Sequence, residues 1–71
     1  MTLRELQINL VKSNAIVLRY QNESLSLCEM KFNNRSDFNK YFYTEEIFTK
    51  IADAEIIYIE IESNGRLVIR I

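Results

Sequence analysis

The stretch 55–71 constrains the fold more than any other. Ile57, Ile59 and Ile61 alternate there with Tyr58, Glu60 and Glu62, and Leu67, Ile69 and Ile71 alternate with Val68 and Arg70. Two such period-two runs around a polar turn describe a half-buried antiparallel hairpin. A two-residue Asn64-Gly65 turn would set Leu67 opposite Glu62 and Ile69 opposite Glu60, mixing the faces. A three-residue loop, Ser63-Asn64-Gly65, sets Ile61 beside Leu67, Ile59 beside Ile69 and Ile57 beside Ile71. All large apolar residues except Ile56 and Val68 then share one face, which is expected to be buried. This loop is a type I turn followed by a left-handed residue, so Gly65 is expected at positive φ. Glu62–Arg66 and Tyr58–Arg70 become pairs on the outer face.

The rest of the chain is read outward from that hairpin. In residues 2–12, Thr2 and Glu5 have the spacing of a capping box. Leu3, Leu6, Leu10 and Val11 fall on one helical face, with Lys12 near the end and Ser13-Asn14 as terminator. Leu6, Ile8 and Leu10 also alternate as a strand would, but only a helix accounts for the Thr2/Glu5 spacing. Residues 15–32 read as a second hairpin, with Ile16, Leu18 and Tyr20 on one face and Gln21–Ser24 as the turn. The apolar phase slips from Leu25 and Leu27 to Cys28, Met30 and Phe32, which predicts a β-bulge near 27–29. Asn34 or Ser36 should cap a helix that carries Phe38, Tyr41 and Phe42 at i, i+3, i+4. Thr44-Glu45-Glu46 looks like a second cap, followed by Ile47, Phe48 and Ile51. Residues 36–53 are thus one helix, or two with a break near Tyr43.

The expected fold is a single α+β domain over 1–71. Its order is α-β-β-α-β-β, or β-β-β-α-β-β if the first element is a strand. Either gives a small antiparallel sheet of four or five strands, with one or two helices packed on one face. Apolar residues at 48% and charged residues at 27% suit a globular chain, and no apolar run is long enough to span a bilayer. The first residues lack the layout of a signal peptide. One cysteine, Cys28, cannot form an internal disulfide, so the cytoplasm is the expected compartment.

The residue inventory limits the chemistry. There is no histidine, so no Ser-His or Cys-His nucleophile pair and no Cys/His zinc site can be built. One glycine leaves no phosphate loop or dinucleotide fingerprint. The sequence therefore points to no enzyme, no cofactor and no metal. Cys28 reads as a small strand hydrophobe, and Phe38, Phe42 and Phe48 read as core.

What remains is contact chemistry. Residues 45–62 hold Glu45, Glu46, Asp53, Glu55, Glu60 and Glu62 against Lys50 alone, although the whole chain carries only −1. Tyr43 lies off the core face of its helix, and Tyr58 lies on the outer sheet face. The candidate partner-binding residues are Tyr43, Glu45, Glu46, Tyr58, Glu60, Glu62 and Arg70. They suggest a small non-catalytic interaction or regulatory protein that binds a protein partner, or a second copy of itself, through an acidic surface and an exposed sheet face or edge. In size and acidity the chain resembles the small acidic inhibitors of phages and mobile elements, anti-CRISPR proteins included, though no motif marks any member. That resemblance implies an inhibitor of a nucleic-acid-handling enzyme. A third reading, weak nucleic-acid binding through Arg19, Lys31, Arg35 and Lys40, is opposed by the low net charge.

Overall fold

A computed structural model describes residues 1–9 and 15–71. The expected features at Leu10, Val11, Lys12, Ser13 and Asn14 lie outside the described residues. The elements are α1 (Leu3–Asn9), β1 (Ile16–Gln21), β2 (Leu27–Phe32), α2 (Arg35–Thr44), α3 (Ile47–Ile51), β3 (Tyr58–Ile61) and β4 (Leu67–Arg70).

Local chemistry explains the helix starts. The Thr2 N–H donates to Glu5 Oε1 at 3.0 Å, and the Glu5 N–H donates to Thr2 Oγ1 at 3.2 Å. This is the reciprocal capping box, and it opens α1. Asn34 Oδ1 accepts the Asp37 N–H at 2.9 Å and caps α2. Thr44 differs from expectation. It ends α2, its hydroxyl donating to Lys40 O, and α3 begins after Glu46 without a side-chain cap. The break between the two helices falls at Glu45, whose extended backbone ends α2.

The sheet has four strands in the order β2-β1-β4-β3. β1–β2 and β3–β4 are antiparallel, as expected, but the central pair β1–β4 is parallel. The sheet is therefore mixed rather than wholly antiparallel. The reason lies in burial. Ile16-Val17-Leu18 and Leu67-Val68-Ile69 are continuous apolar runs, and only central strands cover both of their faces. From β2 the chain crosses through α2 and α3 to β3 at the far edge, and β4 turns back from it to lie parallel to β1.

The core lies between the sheet and the three helices. Leu3 of α1, Phe38 and Phe42 of α2, and Phe48 of α3 pack with Ile16, Leu18, Phe32 and Ile69. The rings of Phe32 and Phe38 meet edge to face, with centroids 5.2 Å apart. Phe38 and Phe48 do the same at 6.0 Å. Such geometry adds about 0.5–1.5 kcal/mol per pair to area burial. Gln7 is the one buried polar side chain among the described residues. Its amide donates to Asn39 Oδ1 and accepts from the Tyr43 hydroxyl, so α1 is tied to α2 with both ends of the Gln7 amide satisfied.

Both hairpins close through the same loop. The Glu62 N–H donates to Arg66 O and the Gly65 N–H to Glu62 O, with Gly65 at φ 84°. The Asn22 N–H donates to Ser26 O and the Leu25 N–H to Asn22 O, with Leu25 at φ 62°. The expected bulge near 27–29 is absent, since the register runs unbroken from Gln21↔Leu27 to Ile16↔Phe32. The apparent phase slip arises because Leu25 belongs to the loop and Leu27 is simply exposed.

Candidate interaction surface

β3 is an edge strand, and its inner side chains are bare. Ile59 pairs with Ile69 and Ile61 with Leu67, as the three-residue loop requires. Ile69 is fully buried, whereas Ile59 is 44% exposed and Ile61 is 74% exposed. The expected buried stripe therefore stops at β4. The three short helices cover β2, β1 and β4, and β3 overhangs them. Ile57 falls just before the strand. Its N–H donates to Arg70 O at 2.7 Å, so it does not stand opposite Ile71.

The backbone of this edge follows from the hairpin. The Glu62 N–H bonds Arg66 O, and in an antiparallel pair every second residue bonds inward. Residues 58, 60 and 62 thus face β4. The N–H groups of Ile59 and Ile61 and the C=O groups of Ile57, Ile59 and Ile61 point away from it. Among the described residues none pairs with them. Residues 54–56, just before the strand, are instead covered by the N-terminus. Ile56 N–H donates to Met1 O at 2.8 Å, and Glu55 pairs with Thr2.

The outer face of the sheet is charged and paired. Directly opposed residues share a face, so Glu29, Arg19, Arg70 and Tyr58 form one row across the strands. Lys31, Val17, Val68 and Glu60 form the next row. Arg19 Nε donates to Glu29 Oε2 at 3.0 Å, and Lys31 Nζ lies 3.5 Å from Glu29. The hydrogen bond from Arg19 holds the Glu29 carboxyl below its ordinary range, and Lys31 adds to this. Glu62 pairs with Arg66, which lowers the Glu62 carboxyl in the same way. Val17 and Val68 are buried at the middle of this face, although all three helices pack on the other. Their neighbours are long polar side chains, whose aliphatic stems can cover such a patch.

The seven candidate residues are not brought together. Tyr58, Glu60, Glu62 and Arg70 belong to the outer sheet face or its loop end. Glu45 and Glu46 are exposed at the α2–α3 junction, on the opposite layer. Tyr43 is 71% exposed on α2, where its ring abuts Phe42. The acids of 45–62 therefore do not form one patch. Three of them are paired: Asp53 with Arg4 at 2.9 Å, Glu55 with the N-terminal ammonium at 2.9 Å, and Glu62 with Arg66. Arg35 and Lys40 sit on α2, while Arg19 and Lys31 sit on the outer sheet face. Among the described residues no cluster of three or more metal-ligating side chains occurs. Among them, too, no helix is long and apolar enough to cross a membrane.

Sequence reasoning placed Ile59 and Ile61 in the core and so missed them as surface residues. The signal was present on the other side of the strand. Tyr58, Glu60 and Glu62 are polar, whereas Val17 and Val68 fill the same positions in β1 and β4.

The chain matches no protein-family model, no curated protein and no solved structure.

Proposed function

We propose that this is a small non-catalytic interaction protein that binds a protein partner by strand addition at the β3 edge. One observation carries the reading. The open edge of β3 presents backbone donors and acceptors beside exposed Ile59 and Ile61. Edge strands are templates for pairing, and natural sheets normally blunt them with charge, proline or a covering segment. Here the inner side chains of the edge are isoleucines, and the charges lie on the outer face only. Main-chain bonds would supply affinity, and pockets for alternate side chains would supply selectivity. Exposed Tyr58 adds a large rigid contact with a polar tip. Cys28 is free, which suits the cytoplasm.

The reading as an acidic inhibitor of a nucleic-acid enzyme draws less support, because the acids are divided between the two layers. The test is cross-linking in cells that make the chain, comparing it with Ile59→Lys and Ile61→Lys. A cross-linked species that disappears in both variants is expected. The same species at unchanged yield in both would refute strand addition at β3.

A further inference from the structure

We infer that the occupant of the β3 edge is β3 of a second copy, added antiparallel across a two-fold axis with Ile59 opposite Ile59. This deepens the strand-addition reading and rests on it. The outward backbone groups are self-complementary. With Ile59 opposite Ile59, each Ile59 N–H meets the other copy's Ile59 C=O. Each Ile61 N–H likewise meets the other copy's Ile57 C=O. Four ladder bonds form, and the Ile57 N–H, already given to Arg70 O, is not needed.

Charge chooses this register over its neighbours. Moving by one pair, to Ile59 opposite Ile61, also forms four bonds but sets Glu60 directly against Glu60. The next move, Ile61 opposite Ile61, sets Glu60 against Glu62. Like charges directly opposite destabilise a strand pair. In the register centred on Ile59, Glu60 faces Tyr58 of the other copy. It thereby joins the row Glu29, Arg19, Arg70, Tyr58, which holds two guanidinium groups and one carboxylate. The second copy thus adds a carboxylate to that row, where Arg19 is paired with Glu29 and Arg70 donates to the Ile71 carbonyl.

Apolar surface is matched as well. A two-fold axis perpendicular to the sheet keeps both helical layers on the same side. Ile59 and Ile61 of each copy then meet between those layers, where Ile59 is now 44% and Ile61 74% exposed. The product is an eight-stranded sheet with isologous contact. It ends on the two β2 strands, whose outer-face side chains Glu29 and Lys31 are paired with each other.

The experiment combines mass and register. Sedimentation of the full chain from micromolar to near-millimolar concentration should move its mass from 8.5 kDa to twice that value. Ile59→Lys and Ile61→Lys should each weaken association at least about ten-fold. Cross-strand Cα atoms about 5.5 Å apart lie within disulfide reach. In a Cys28→Ser background, Ile59→Cys should therefore oxidise to a covalent dimer, while Glu60→Cys should not. Amide exchange at Ile59 and Ile61 should slow as concentration rises. A chain that remains a monomer throughout, with concentration-independent exchange at those amides, overturns the dimer. So does equal cross-linking of Glu60→Cys. A monomeric chain whose β3 amides are nevertheless protected by a different protein overturns the dimer and leaves strand addition standing.

Discussion

The two hairpins share a loop geometry, yet they differ in what surrounds them. β1–β2 lies under the aromatic cluster of α2 and α3. Each hairpin has one strand in the centre of the sheet and one at the rim, but the rim strand β2 packs its Phe32 against those rings, whereas the rim strand β3 leaves Ile59 and Ile61 exposed. Ile69 and Ile59 face each other across that second ladder, one fully buried and the other 44% exposed. Pairing register therefore says nothing by itself about burial. Position relative to the covering helices decides it.

The largest expected effect tests that difference directly. Ile69→Ala should lower unfolding free energy by about 3 kcal/mol, whereas Ile59→Ala should cost less than about 1 kcal/mol, measured by urea titration at low protein concentration. Equal losses would mean that β3 is covered in solution even as a monomer. The loops give the next effect. A left-handed conformation costs a non-glycine residue about 1–2 kcal/mol, and glycine entropy in the unfolded chain offsets part of any relief. Gly65→Ala should therefore destabilise by about 1 kcal/mol, and Leu25→Gly should stabilise by about 0.5 kcal/mol. A Leu25→Gly variant less stable than the parent would show that the leucine makes contacts worth more than its strain.

The smallest effect is electrostatic. Both hairpins carry a half-exposed ion pair, Arg19–Glu29 and Glu62–Arg66, and Glu5 and Asp53 are held low by Thr2 and Arg4. Carboxyls depressed in the folded state stabilise it above the unfolded-chain range near pH 4, and this is lost as pH falls through the folded values. Tm should be level from neutrality to about pH 5 and decline below about pH 4. Glu29→Gln and Glu62→Gln should each remove part of that slope, read by thermal melts across the acid range. An unchanged slope in both would assign it to Glu5 and Asp53.

Sequence pattern reached as far as local interactions do. The Thr2/Glu5 box, the cap at Asn34 rather than Ser36, the positive φ of Gly65 and a helix break, two residues beyond Tyr43 at Glu45, are each decided within about five residues. The parallel β1–β4 pairing joins residues about fifty apart, and no spacing rule encodes it. The same limit explains β3. Alternation identified a strand with an apolar face but could not say that the helices would stop short of it. Only the polar second face, Tyr58, Glu60 and Glu62, set beside Val17 and Val68, marked the rim. The candidate contact residues fared as their elements did. Those of 58–70 stayed together because one hairpin carries them, and Glu45 and Glu46 separated because a helix junction does.

The parallel seam between β1 and β4 also has a consequence for synthesis. On the ribosome the first hairpin and its helices are made early, but the open flank of β1 has no neighbour until Leu67–Arg70 have left the exit tunnel. Val17 waits for Val68, and Leu18 for Ile69. A nascent chain halted before that point holds β1 without the neighbour that flanks Val17 and Leu18, so closure of the domain waits until all its other elements have been made.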